Sequence, residues 1–326
     1  MSKVLLQSIE HLDLTRRVKQ TEDKPRFVGG CGKVYYGELH SKSGVFNVAI
    51  KRVKASLSDD TNFAKILINE LKIWSCLDDR NVLPLRGYIL DDGEFPALIS
   101  EWMTKGTVLA YLDRNIQVDL FDMVKGIASG LAYLHEKGVV HADLKCDNVL
   151  ISPSGDPLLA DFGISRTLIV THTVTTLREL MGSVRWMAYE LLAPQESDPQ
   201  KIIDTTFENT ITETKPAVPS IETDVWAFGM VVYELLTKQY PFAHLQPLQA
   251  IIAIVLGNLP SPPSNLQSRR KIEKSLWKLC TLCWNRNPAK RPAIKDVVRE
   301  INGQQFGNAL DTWAKGNTEE DVCFES

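Results

Sequence analysis

The stretch His141-Ala142-Asp143-Leu144-Lys145-Cys146-Asp147-Asn148 is followed, 18 residues after Asp143, by Asp161-Phe162-Gly163. Between them, Val149-Leu150-Ile151 and Leu158-Leu159-Ala160 flank a Pro153-Ser154-Gly155-Asp156 turn. This reads as a β-hairpin with acids and amides gathered at each end. Asp and Asn oxygens suit Mg²⁺, which takes few protein ligands and keeps phosphate oxygens and water for the rest of its shell. Either piece alone also fits a solvated loop; the two together, in this order, point to chemistry. Upstream lies Gly29-Gly30-Cys31-Gly32-Lys33-Val34. Glycine lets backbone approach a phosphate closely and aim N–H groups at it. A ligand-free hairpin turn fits that segment as well. A strand follows it, so it is not the dinucleotide fingerprint, which opens a helix. In Val48-Ala49-Ile50-Lys51 a lysine ends an apolar strand. It is a surface residue unless it points inward, where it needs a counter-charge. Glu70, 19 residues later, is the candidate.

These groups need elements to hold them. Phe27–Leu39 reads as a Gly-rich turn running into a strand, and Phe46–Val53 and Ala97–Trp102 as further strands, by β-branched and aromatic content. Phe63, Ile66, Leu67, Leu71 and Trp74 fall on one face of a helix, with Glu70 on or beside that face. Leu120, Val124, Ile127, Leu131 and Leu134 define a second amphipathic helix, ended by Lys137-Gly138. Asp224–Leu236 is apolar nearly all round, the mark of a buried helix. Strands first and helices after predict an α+β plan in two lobes. Residues 191 to 222, rich in Thr, Glu, Asp, Ser and Pro, read as a surface insertion.

The 326 residues carry 44% hydrophobic and 24% charged side chains, the mix of a globular protein with a sizeable core. A net charge of -3 argues against a basic nucleic-acid binder. The longest apolar run, Ala250–Leu256, falls far short of the roughly 18 residues that span a bilayer. Six scattered cysteines without an export signal read as reduced thiols, which predicts the cytoplasm, with the nucleus as the alternative. Cys280 and Cys283 lack a second pair to complete a zinc site.

Taken in order, these motifs resemble a eukaryotic protein kinase over roughly residues 20 to 302. Gly182-Ser183-Val184-Arg185-Trp186-Met187-Ala188-Tyr189-Glu190 resembles the end of an activation segment, and Asp224-Val225-Trp226-Ala227-Phe228-Gly229 the start of the central buried helix. Cys283-Trp284, Pro288 and Arg291-Pro292 resemble the late helical element. The wording is most similar to the tyrosine-kinase-like group of serine/threonine kinases. The resemblance implies a bilobal fold: an N-terminal extension at 1–19, a small lobe at about 20–102, a helical lobe at about 103–302 holding the 191–222 insertion, and a tail at 303–326. It implies ATP and Mg²⁺ as cofactors. Lys51 would hold the α/β-phosphates and pair with Glu70, while Asn148 and Asp161 would hold the metal. Asp143 would orient the substrate hydroxyl and accept its proton, with Lys145 beside the γ-phosphate. Gly29, Gly30 and Gly32 would cover the phosphates. Val34, Ala49 and Leu150 would sandwich the base at a hinge spanning Glu101 to Met103. Ser100, at the gatekeeper position, is small and implies a pocket behind adenine. Phe162, Gly163, Ser183, Glu190, Asp224 and Arg291 would be activation-segment or structural residues, with Glu190 and Arg291 paired. Lys145 and Ser183 favour serine/threonine over tyrosine substrates by motif analogy.

The sequence also departs from the pattern. Phe27 stands where the first loop glycine is expected and Cys31 at the loop tip, predicting altered nucleotide clamping. Ala142 replaces the arginine that grips an activation-loop phosphate. Activity is therefore expected to be largely independent of phosphorylation at Thr167, Thr171, Thr173, Thr175 or Thr176. Tyr189 replaces a proline. The departures at Phe27 and Tyr189 favour a rival reading, a catalytically weak pseudokinase that acts as a scaffold; the full set Lys51, Glu70, Asp143, Asn148 and Asp161 opposes it. Cys31 and Cys146 are expected to line the ATP mouth. Protein substrates are the implied partners, without membrane insertion, and the insertion is a candidate docking loop.

Overall fold

The computed structural model describes residues 7–29, 32–53, 60–90, 95–162, 182–193, 218–264 and 266–303, with positions 306, 310 and 313. Gly30, Cys31, Gly163, the five activation-loop threonines and residues 194–217 of the expected insertion lie outside that set, as does most of the tail.

The first lobe is one antiparallel sheet. Its strands are β1 (Val18–Gln20), β2 (Phe27–Gly29), β3 (Gly32–Ser41), β4 (Gly44–Val53), β5 (Leu85–Ile89) and β6 (Ala97–Glu101). The order is β1-β3-β4-β6-β5, with β2 also paired to β3. Side chains alternate along a strand, and directly paired residues share a face. Val34 pairs with Lys51, and Ala49 with Ser100. Val34, Ala49, Lys51 and Ser100 therefore face the same way, toward the cleft. Val48 and Ile50 face away and build a separate apolar cluster with Leu14, Leu39, Ile89, Ala97 and Ile99. Helix α1 (Asp60–Ser75) buries Leu67, Leu71 and Trp74.

The second lobe contains α2 (Val108–Arg114), α3 (Leu120–Glu136), the hairpin β7 (Val149–Ile151) and β8 (Pro157–Leu159), α4 (Tyr189–Leu192), α5 (Ile221–Thr237), α6 (Pro247–Val255), α7 (Lys271–Cys283) and α8 (Ile294–Asn302). Asp119 caps α3 by accepting from the Phe121 N–H, and Gly138 leaves that helix at φ 73°, where the Cβ-less residue is favoured. Ser220 and Thr223 form a reciprocal cap at the start of α5, whose residues Thr223 to Leu236 are all buried. The helix predicted from its all-round apolarity is thus the axis of the lobe. α3, α7 and the short helical turn Cys146–Asn148 all pack on it.

Two boundaries differ from the sequence expectation. Residues 7–17 are not a bare extension: Ile9 and Leu14 are 1% and 6% exposed, and the Leu14 N–H donates to Tyr88 O at 2.8 Å. Of the 191–222 stretch, Leu191 and Leu192 complete α4, while Ser220 to Glu222 cap and open α5. Phe27, which stands where the first loop glycine is expected, lies on β2 paired with Val34, and Gly29 pairs with Gly32.

Candidate active site

The hairpin β7–β8 and the loop before it deliver most of the chemistry. Asp143, Lys145 and Asn148 precede β7, and Asp161 follows β8. Asn148 Nδ2 donates to Asp143 O at 2.7 Å and to Asp143 Oδ2 at 3.0 Å. Both partners are acceptors, so the amide nitrogen must face them and the amide oxygen faces away, free to ligate. Lys145 Nζ lies 3.2 Å from Asp143 Oδ2 and donates to Ser183 Oγ at 2.8 Å. The Asp143–Lys145–Ser183 triad thus ties the catalytic loop to the far end of the activation segment.

Lys51 comes from the sheet and reaches Asp161 Oδ1 at 2.5 Å. Burial by itself would raise the Asp161 carboxyl; the Lys51 ammonium outweighs it and holds that group below its ordinary value. Asp161 is therefore ionised, the state in which a carboxylate can ligate a metal. Glu70 lines a cavity with Leu67, Leu71, Ile73, Trp74, Leu98 and Phe162, between α1 and the residue after Asp161. Phe162 is buried there, edge-on to Trp74 at 5.4 Å and to His141 at 6.2 Å. Ser100, 9% exposed, stands on the cleft face two residues from Leu98.

Asp224, at the start of α5, holds the catalytic loop from behind. Its carboxylate accepts from the His141 N–H at 2.7 Å, the Ala142 N–H at 2.9 Å and the His135 ring at 2.9 Å. Ala142 has φ 65° and Asp161 φ 62°, conformations costly for residues with a Cβ. Asp224 offsets that cost at Ala142 by taking two consecutive backbone donors. Burial lowers the His141 pKa, so the imidazole stays neutral behind the site.

The loop glycines differ in kind. A Cβ on Gly32, at φ 152°, would lie 2.2 Å from Arg52 O, so this glycine is required by the hairpin itself. A Cβ on Gly29 would meet nothing within 4 Å, so that position has open space beside it. At the front of the cleft Trp102 follows β6, stacked on Phe27 at 6.2 Å and edge-on to Tyr36 at 5.0 Å. Leu150 joins the segment after the hinge through its bridge to Thr107.

Glu190 accepts two bonds from Arg291 at 2.7 Å each, and Arg291 also donates to Glu222 O and Asn285 O. Tyr189, in place of proline, stacks under the Arg286 guanidinium at 4.1 Å and accepts from it at 2.6 Å. That departure is packing, not damage.

Cys146 does not line the cleft. It is 1% exposed, its thiol turned toward Val231 O on α5, and burial pushes its pKa well up. Cys280 and Cys283 are likewise buried in α7, the latter pushed up to about 12. These thiols are unreactive packing groups. Glu234 on α5 went unnoticed in the sequence. Its Oε2 accepts from Trp186 Nε1 at 2.7 Å and from the Cys146 N–H at 3.1 Å, joining activation segment, catalytic loop and central helix. A lone acid in an otherwise apolar turn of a buried helix was the available signal.

A family model described as protein tyrosine and serine/threonine kinase matches residues 28–301. Among curated relatives, mitogen-activated protein kinase kinase kinase 1 of Arabidopsis thaliana is 31% identical over 278 residues, 83% of this chain and 40% of that protein. Serine/threonine-protein kinase TNNI3K of Mus musculus is 28% identical over 280 residues, 84% of this chain and 30% of that protein. Serine/threonine-protein kinase A-Raf of Homo sapiens is 26% identical over 277 residues, 84% of this chain and 41% of that protein. The chain therefore spans less than half the length of each of these relatives. With the family model covering most of its length and the motif residues gathered as described, this chain belongs to the protein kinase family, in the likeness of the tyrosine-kinase-like group of serine/threonine kinases.

Proposed function

We propose that this domain transfers the γ-phosphoryl group of ATP, with Mg²⁺, to serine and threonine hydroxyls of protein substrates. The observation that carries the reading is Lys145 Nζ held between Asp143 Oδ2 at 3.2 Å and Ser183 Oγ at 2.8 Å. A lysine two residues after the acid, bonded to a hydroxyl of the activation segment, is the pattern that favours aliphatic hydroxyl substrates by motif analogy.

Asp143 would accept the substrate hydroxyl's hydrogen bond and take its proton as the new O–P bond forms and the bond from the γ-phosphorus to the β,γ-bridging oxygen breaks, ADP leaving. Asn148 donates to Asp143 and so fixes the carboxylate's direction. Lys145 places a positive charge beside the reacting oxygens. Asn148 Oδ1 and the Asp161 carboxylate fit a hard-oxygen donor set for Mg²⁺, which when bound neutralises charge on the phosphate oxygens. Lys51, seated on Asp161, would hold the α/β-phosphates, with Glu70 as its second partner. Gly29 leaves room for them. Val34, Ala49 and Leu150 would clasp the base. Met103 O accepts from the Gly106 N–H at 3.0 Å; the Met103 N–H would meet the base edge beside Glu101. A cytoplasmic setting fits the four free thiols among the described cysteines.

The test is transfer of label from ATP to a mixed protein substrate, with Asp143→Asn and Asp161→Ala run alongside, followed by phosphoamino-acid analysis. Label is expected on Ser and Thr, reduced about 10²–10⁴-fold in Asp143→Asn. Wild type as silent as both variants, yet binding ATP, would replace this reading with the scaffold.

A further inference from the structure

From Gln239 through Ser268 the chain has no Asp, Glu, Lys or Arg, although 24% of the protein is charged. Helix α6 lies within this stretch and carries Gln249 as its one polar side chain. A helix apolar all round belongs in an interior. Only one side of α6 is covered: Ala250, Ala253 and Ile254 are buried. On the other side Leu248 is 53% exposed, Ile252 58% and Leu256, the C-terminal cap, 63%. Spacings of four and four set these three in one stripe along the helix; Leu259, 42% exposed, follows after Gly257 has ended it at φ 84°.

The stripe is rigidly mounted. Gln246 and Gln249 form a reciprocal cap at the N-terminus of α6, with Pro247 in its first turn. The Arg185 guanidinium donates to the carbonyls of Pro241 (3.2 Å), Phe242 and Leu245 (2.6 Å), which lead into the helix. α6 also packs on the Val184–Trp186 turn and on α4. Little ordering is left to be done when something covers this face.

We propose that the stripe is covered by a second copy of this chain, two α6 helices packing antiparallel about a two-fold axis beside Ile252. Leu248 then faces Leu256 of the partner subunit, and the reverse. The argument is charge. Across a two-fold axis a surface meets itself, so a charge at its centre meets its like. A helix that, with its flanking segments, carries no charge over thirty residues pairs with itself without repulsion at the centre of the contact. A foreign partner would instead be selected by complementary charges; the stripe itself offers none, and the nearest, the exposed Arg286 guanidinium beside Gly257, lies at one end, where the antiparallel pairing sets it away from its own copy. Three apolar side chains from each copy make less than a standard-size interface, so the dimer is weak, with a Kd of about 10–100 μM. The pairing sets the two Ser183 segments close to the interface.

Sedimentation equilibrium of the full chain, from about 1 to about 300 μM, reads this without any catalytic assay, so its result stands apart from the kinase reading. The weight-average mass is expected to rise from monomer toward dimer. Ile252→Glu and Ile252→Lys should each hold the protein monomeric, with unchanged thermal unfolding because the site is exposed. Mixing the two variants should restore the dimer, since Glu then meets Lys across the axis. Should Ile252→Glu disturb folding, Leu248→Glu serves as the second probe. A monomer at the highest concentration, a dimer indifferent to both substitutions, or a mixture that stays monomeric overturns the proposal. A monomeric wild type in which Ile252→Glu weakens turnover of a protein substrate, but not of a short peptide, also overturns it and assigns the stripe to substrate docking.

Discussion

Glu234 shows how much one side chain can depend on its surroundings. It is fully buried, its Oε1 has no hydrogen-bond partner among the described residues, and burial raises its pKa from 4.5 to about 7. Two donors on Oε2 offset part of that rise. An acid with a raised folded pKa is protonated in both states below about pH 4.5 and costs nothing there. Between 4.5 and about 7 the unfolded chain loses its proton first, so stability falls, and the loss is complete above 7. Glu234→Gln is expected to flatten this limb and to gain on the order of 3 kcal/mol at pH 8 relative to pH 5. Urea midpoints of both proteins at the two pH values check it; an unchanged difference between them would refute the assignment. Asp143, Asn148 and Asp161 were legible because their types and spacing belong to one motif set. Glu234 was not, because its role is a contact with Trp186, 48 residues away.

At the scale of elements, the junction of α4 with α5 and the loop before α8 rests on Arg291. Its side chain is fully buried, bonded twice to Glu190, once each to Glu222 O and Asn285 O, and set over the Trp226 ring at 5.1 Å. Removing the guanidinium leaves a carboxylate and two carbonyls without their donor. Arg291→Ala should therefore cost about 3–5 kcal/mol, read as a lowered urea midpoint with an unchanged m value. A loss within about 0.5 kcal/mol, the range of ordinary surface changes, would contradict it. The pairing of Glu190 with Arg291 was foreseeable from the family resemblance. The Tyr189–Arg286 stack beside it was not, since a lone tyrosine in place of a proline gives no hint of its partner.

At the scale of the whole molecule, the N-terminal segment belongs to the first lobe. Ile9 sits in the main core and Leu14 in the cluster on the outer sheet face. Asp13 forms a parallel bridge with Tyr88, and the Leu90 N–H donates to Thr15 Oγ1 at 2.8 Å. Deleting residues 1–14 removes two buried aliphatic side chains and should destabilise the lobe by on the order of 5 kcal/mol. That corresponds to a fall in Tm of roughly 10 °C or more. A truncated protein that melts within about 2 °C of the full chain would show that the segment merely lies on the surface.

The sequence by itself determined the two-lobed α+β plan, the buried central helix, the hairpin between Asn148 and Asp161, and the residue types at the candidate active site. These follow from local periodicity and from motif spacing, which the chain carries regardless of how it packs. Only the tertiary structure decided that Phe27 is a strand residue opposite Val34, that Cys146 faces α5 rather than the cleft, that Lys51 rests on Asp161, and that Asp224 holds a strained Ala142. Each of these depends on strand register or on contacts between residues far apart in sequence. A one-residue change of register turns a side chain to the opposite face, and nothing in the local sequence records which register the assembled sheet adopts.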